Sequence, residues 1–519
     1  MARFPRREAG GACGEGPCRS VASYDRACRG TRGLVGVRYD DEMTASEVIM
    51  VSNNTLPRRD FLRNAVMLAG AGVTAPLWAA MKYDRDAALR HFRACASETE
   101  ARVKQGIEAN RKGDATLVFS DAQGRPCETV HAKMRQLRHD FKYGANLFGL
   151  AETKNGAESA AAYRERFAVA FNLATLPFYW QDNEPQPGKT RFAKDSPYIY
   201  RRPPIDLCLE FCEAHGIEPK AHCLNYVAEG LFPAWAKGNV GREKELLEKR
   251  FRELAERYAD RIPMWEVVNE TLHWSNGRRR LSNLFSEPDL VEWSFKTAAK
   301  YFKKNKLVIN ETHMYVWESF KRSRSAYYMQ IENALLKGCR IDGIGIQAHA
   351  VWGADMRKIT QNGRFQYNPH FTFELLDTYA ALGKPLQITE CTIPACSEDP
   401  GDEAVQAEIV RNLYRVWFSH KAMEAIVYWD LSDAYTWQPA LYGSFLRRDM
   451  SPKPAYNVIC DLFGREWRTN FDRDVAGGRL SFRGFCGTYE IEATSNGRTV
   501  KHQFHVGKAV SAPIEIIFA

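Results

Sequence analysis

"MWEVVNE" (Met264–Glu270) and "PLQITE" (Pro385–Glu390) are two short β-type runs that each stop at a glutamate. A run of β-branched and aromatic residues ending on a carboxylate reads as a buried parallel strand that delivers an acid to a sheet edge. One such glutamate alone more often caps a strand or pairs with a surface lysine. Two delivered to one rim meet the requirement of glycosidic bond cleavage, in which one carboxyl protonates the leaving oxygen while the other attacks or stabilises the sugar cation.

Six similar runs surround this pair: "FKYGANLF" from Phe141, "FNLATLP" from Phe171, "IEPKAHCLN" from Ile217, "KLVINET" from Lys306, "IDGIGIQAHA" from Ile341 and "EAIVYWD" from Glu424. Successive runs start 30 to 47 residues apart. The gaps hold helix-period stretches such as "EKELLEKRFRELAERY" (Glu243–Tyr258) and "EAVQAEIVRNLYRVWF" (Glu403–Phe418). Eight strand-then-helix units predict an α/β fold, a (β/α)8 TIM barrel over residues 139–463. Glu270 then ends strand 4 and Glu390 ends strand 7, both on the C-terminal face where such barrels keep their chemistry. A doubly wound open sheet is the alternative, although no Gly-rich phosphate loop follows the first strand.

The same runs resemble glycoside hydrolase family 10, the endo-β-1,4-xylanase family of retaining (β/α)8 enzymes. "WEVVNE" with "QITE" carries the likeness, and "AHCLNY" with "FPAW", "GIGIQAHA", "YWDLSDAYTW" and "SPKPAY" support it in the right order from about Phe141 to Phe463. The resemblance implies that Glu270 is the general acid/base and Glu390 the nucleophile. It implies that Asn269 bonds the sugar 2-hydroxyl, that His349, two residues past Gln347, orients the nucleophile, and that His222 and Gln347 lie among the sugar-binding groups. Trp429, Trp437 and Tyr226 are candidate stacking surfaces, whereas Trp235 reads more as rim packing. The chain departs from the family after strand 2. The Glu-Asn pair and Lys that grip distal sugars are missing, and "TLPFYW" places Tyr179 and Trp180 there instead. Rings in place of polar groups trade hydrogen-bond discrimination for stacking area, so both are expected to line the sugar cleft.

The activity this implies is a retaining endo-β-1,4-glycanase acting on xylan or a related β-glycan. A carbohydrate-binding pseudo-enzyme barrel and a glycosidase of short oligosaccharides are the other readings, the first weakened by the retained acid pair. His222, His273, His313 and His349 form no i, i+4 pair with a nearby acid as in a zinc-protease helix, so neither a catalytic metal nor any other cofactor is expected.

The flanks differ in character. Residues 1–50 are Gly/Arg/Cys-rich without periodicity and read as a disordered or misassigned leader. Residues 51–81 resemble a twin-arginine export signal, with Arg58-Arg59, Phe61-Leu62 and a mild Ala/Gly/Val stretch too short to span a bilayer. A periplasmic or secreted protein is expected. Residues 82–138 read as a helix and a small β-annex, two strands around the turn "DAQGRP" (Asp121–Pro126), packed on the barrel entry. Residues 464–519 alternate with Gly turns and predict a separate small β-sandwich-like module. The net charge of +9 is raised by the Arg-rich leader, and the remainder is too small to argue for nucleic acid. Thirteen scattered cysteines match no zinc ribbon and predict no disulfide scaffold. A polysaccharide substrate, no stable membrane insertion and a monomer complete the expectations.

Overall fold

The computed structural model describes residues 83–228, 231–272, 282–350, 365–509 and 512–519. The expected export signal, the leader and His273 lie outside the described residues. Each of the eight runs contains a strand: β3 (Lys142–Asn146), β4 (Leu173–Pro177), β5 (Glu218–His222), β6 (Met264–Asn269), β7 (Lys306–Glu311), β8 (Gly343–His349), β9 (Leu386–Thr392) and β10 (Met423–Tyr428). They pair in parallel in sequence order, and β10 closes on β3 to complete the barrel. Strands β4, β6, β8 and β9 are buried along their whole length, which explains why they read as apolar runs rather than as alternating ones.

The helices between them bury one face against the barrel, and three of them start at a side-chain cap. Asn239 accepts from the Arg242 amide at the start of helix Val240–Tyr258, which buries Leu247, Phe251 and Leu254 against the barrel. Asp399 accepts from the Gly401 amide at the start of helix Pro400–Ser419, with proline in the first turn where its missing N–H costs nothing.

The two β-rich flanks do not form separate modules. β1 (Lys112–Asp121) is the middle strand of a three-stranded sheet, antiparallel to β12 (Arg479–Phe485) and parallel to β15 (Ile514–Phe518). β2 (Thr129–His139) lies in a four-stranded sheet with β11 (Phe471–Ala476), β13 (Gly487–Ser495) and β14 (Arg498–Val506). The Asp121–Pro126 turn forms, with Gly124 at positive φ, but the strands on either side of it enter different sheets. The reason is burial. Leu117 and Phe119 on β1, and Val130, Ala132 and Met134 on β2, each give one apolar face, and a lone two-stranded hairpin is marginal in water. Ile491, Ala493, Phe504, Ile516 and Phe518 from the C-terminal strands supply the opposing surface.

This single sandwich joins the barrel at the end where β3 and β10 begin. β2 ends at His139, three residues before β3 starts. Arg111 donates to the carbonyls of Phe418, His420 and Met423, Met423 being the first residue of β10. Trp467 stacks on Phe418 at 3.9 Å and Phe463 on Tyr143 at 3.7 Å. The strand ends carrying the candidate acids are at the opposite face. Among the described residues no helix is long and apolar enough to cross a membrane.

Candidate active site

Four barrel strands, β5, β6, β8 and β9, deliver polar side chains to one cleft of about 370 Å³ at their C-terminal ends. Glu390 comes from β9, Glu270 follows Asn269 at the end of β6, Gln347 and His349 come from β8, and His222 ends β5. Glu270 has φ +53°, a left-handed conformation that a non-glycine residue adopts only when its surroundings hold it there. The holding group is Glu311 at the end of β7, whose carboxylate accepts from the Leu272 amide at 2.9 Å and the Thr271 hydroxyl at 3.4 Å.

Gln347 stands between the two candidate acids. Its side-chain nitrogen donates to Glu270 Oε1 at 2.9 Å and to Glu390 Oε1 at 3.2 Å. One nitrogen within hydrogen-bond reach of both carboxylates forces those two oxygens close together across the rim. The other Glu270 oxygen accepts from the Tyr226 hydroxyl at 2.5 Å. Glu390 also accepts from Asn310 Nδ2 at 2.9 Å, and His349 Nε2 lies 3.2 Å from its second oxygen. His349 is set in turn by Thr392, whose hydroxyl is 2.9 Å from Nδ1 and donates onward to the Trp429 carbonyl. Asn310 Nδ2 reaches Asn269 Oδ1 as well, at 2.7 Å, leaving the Asn269 amide group directed by a fixed neighbour.

Beneath this layer lies a buried ion cluster. Lys220 Nζ is 2.5 Å from Glu266 Oε1, and His222 Nδ1 is 2.5 Å from Glu266 Oε2. Burial alone would raise the Glu266 carboxyl, but Lys220 and His222 outweigh it and hold the group down to about 2. Burial likewise opposes the charged form of His222, and Glu266 with Glu390 overcomes it and raises that imidazole. Burial pushes His349 down to about 4, with Glu270 and Asp430 opposing but not overcoming it, so that imidazole is neutral at working pH. Glu390 goes the other way. Burial pushes it up to about 8, with Glu266 and Glu270 adding and His222 opposing.

His222, Glu266 and Glu390 bring possible metal-ligating atoms within 4.8 Å of one another. Lys220 and His222 already occupy both oxygens of Glu266, so this set fits an ion-pair cluster better than a metal site.

Not every expected residue reaches the cleft. Trp429, Trp437, Tyr226 and Tyr179 line it. Trp437 is 39% exposed and its ring stands 5.1 Å from His349. Trp180 does not: it is buried, edge-on to Phe232 and Trp235, with its indole N–H on Glu184. It starts a helical turn, Trp180–Asn183, and consecutive side chains there diverge, so Tyr179 faces the cleft and its neighbour the core. The expected stacking surface therefore shrinks to one ring, and Arg202 covers that one, its guanidinium carbon 4.2 Å from the Tyr179 ring centre.

Several cleft groups escaped sequence reasoning. Glu266 carried a visible signal, a charge at an inward position of the otherwise apolar "MWEVVNE". Asn310 was legible in the same way within "KLVINET". Arg201 was not. It comes from the loop after β4, donates to both Asp430 oxygens at 2.8 and 3.0 Å, and joins Arg202 and Phe148 along the cleft wall.

A closed (β/α)8 barrel with paired carboxylates at its C-terminal rim defines the class as that of barrel glycoside hydrolases. The chain belongs to glycosyl hydrolase family 10, whose family pattern matches residues 137–462. It is 28% identical over 347 residues to endo-1,4-beta-xylanase B of Thermotoga neapolitana, covering 64% of this chain and 90% of that protein. It is 24% identical over 478 residues to endo-1,4-beta-xylanase 2 of Arabidopsis thaliana, covering 92% of this chain but spanning only 39% of that relative's length. Its fold matches the crystal structure of xylanase 10B from Thermotoga petrophila RKU-1 in complex with xylobiose, with TM-score 0.51, 21% identity, and coverage of 63% of this chain and 95% of that one.

Proposed function

We propose that this protein is a retaining endo-β-1,4-glycanase that hydrolyses xylan or a closely related β-glycan. In this reading Glu270 protonates the leaving oxygen, Glu390 attacks the anomeric carbon, and Glu270 then activates water to release the sugar from Glu390. The observation that carries the mechanism is the Gln347 amide shared between the two carboxylates. It supports the ~5–5.5 Å separation of a nucleophile–acid pair rather than the ~6.5–9.5 Å that leaves room for a water in inverting enzymes. In this reading Asn269, held by Asn310, bonds the sugar 2-hydroxyl, a contact that strengthens as positive charge develops on the ring.

Product stereochemistry read by NMR during xylan hydrolysis tests the assignment. The first product should keep the β-configuration. Glu390→Ala should abolish turnover, and Glu270→Ala should spare aryl glycosides whose leaving group needs no proton. An inverted first product would falsify the double displacement. The "PRRDFL" pattern (Pro57–Leu62) supports work outside the cytosol. Replacing Arg58 and Arg59 by lysine should then trap the protein in the cytosol, and unchanged secretion would count against that route.

A further inference from the structure

We propose that the loop from Ser196 to Arg202 forms an additional sugar subsite, in which Tyr198 and Tyr200 carry neutral pyranose units of the bound β-glycan beyond those at Glu270 and Glu390. The proposal rests on the glycanase reading above and adds to it the length of chain that the cleft recognises.

Tyr198 is 60% exposed and Tyr200 46%, and both sit in the loop after β4. That loop is anchored, not loose. Arg191, buried inside it, donates to the carbonyls of Asp182 and Pro197. Glu152, a buried carboxylate from the loop after β3, accepts from the Tyr198 hydroxyl at 2.7 Å and from the Arg201 amide at 2.7 Å. A buried acid is thus committed to holding the polar end of a ring whose face is left to solvent. Arg201, at φ +57°, turns the chain so that its guanidinium reaches Asp430 on the cleft wall. Asp430 also accepts from the Trp437 amide at 3.0 Å, so one carboxylate ties the Tyr200–Arg202 segment to the exposed tryptophan across the rim. Tyr200 precedes Arg201 directly, which places its Cα about 3.8 Å from that of a cleft-lining residue.

The anchored ring of Tyr198 and the exposed ring of Tyr200 beside it offer, next to a carbohydrate cleft, what the apolar face of a pyranose packs on. The bidentate Arg201–Asp430 pair cancels the charge at this point of the rim, which favours a neutral sugar. The occupant is the continuation of the β-1,4-linked chain on the side formed by the loops after β3, β4 and β10.

The test uses the full chain and β-1,4-xylo-oligosaccharides of three to six units, with Tyr198→Ala, Tyr200→Ala and the double variant. Thermal midpoints should stay near wild type. The double variant should lose about ten-fold in kcat/KM on the hexamer and on polymer, and less than about two-fold on the trimer. Tyr198→Phe, which keeps the ring and gives up only its hydroxyl, should retain most of the length dependence. Titration of xylohexaose into wild type and double variant gives the same reading without turnover, with an expected weakening of about ten-fold. An equal loss at every length, or no loss in either assay, overturns the subsite while leaving the hydrolase assignment in place. Failure of wild type to cleave any β-glycan overturns the hydrolase assignment, and the titration still decides whether the rings bind sugar.

Discussion

In the proposed double displacement Glu390 meets two demands that oppose each other: it must ionise to attack, yet its burial favours the proton. With that carboxyl raised to about 8, the pair keeps a proton to slightly alkaline pH, and loss of that last proton removes the acid needed for leaving-group departure. The basic limb of kcat/KM on xylan should therefore fall above about pH 8, and a fall already complete by pH 6 would contradict the assignment. Stability carries the same signature with a definite sign. A carboxyl whose folded pKa is raised binds more protons in the folded state than in the unfolded state between the ordinary value near 4.5 and about 8. Its contribution is fully present below the lower value and is lost as pH rises through the upper one. Glu390→Gln, which keeps the shape of the protonated acid, should raise stability at pH 8 by on the order of a few kcal/mol, read as a higher thermal midpoint, and change little at pH 4.5. A midpoint at pH 8 below that of wild type would show that Glu390 is not held protonated by the fold.

The elements decide where these residues stand, and they differ in how openly the chain announces them. The barrel strands are legible because burial on both faces writes a continuous apolar run, and Glu270 and Glu390 are legible because they interrupt such runs. The loop contributions are not, since Arg201 and Glu152 reach the site through backbone turns that no periodicity encodes. Trp180 shows a related failure: its aromatic type suggested a cleft surface, and a four-residue helical turn carried it into the core instead. The turn after β6 is the most consequential of these local structures, because the left-handed backbone of Glu270 depends on Glu311 gripping Thr271 and Leu272. Glu311→Ala should release that grip and lower kcat/KM on xylan by roughly 10–100-fold, as expected when an acid is misplaced by about an ångström. Aryl glycosides with good leaving groups, which need no proton, should lose far less. Equal losses on both substrates would point to a general loss of structure.

At the scale of the whole molecule, the sandwich and the barrel are bound through Arg111, Trp467 and Phe463 on the face away from the cleft. Removing β15 would expose the edge of β1 and strip Ile516 and Phe518, both buried, from the sandwich core. Truncation after residue 512 should cost about 3–6 kcal/mol from the loss of two large apolar side chains. The specific activity of the fraction that remains folded should be unchanged, because among the described residues none that lines the cleft comes from the sandwich. A truncated protein of unaltered stability would mean that the last strand contributes nothing to the core.

The pairing of β1 with β15 also imposes an order on synthesis. Strands β1 and β2 emerge from the ribosome before the barrel strands, yet their partners lie in the last fifty or so residues to appear, after the barrel strands are complete. Throughout that interval two edge-exposed strands must wait unpaired, which makes the nascent chain most prone to sticking at its leading end. Protease pulses on stalled chains should find the barrel protected while the segment around residues 112–139 is still cut, with protection there arriving only once the final strand is free.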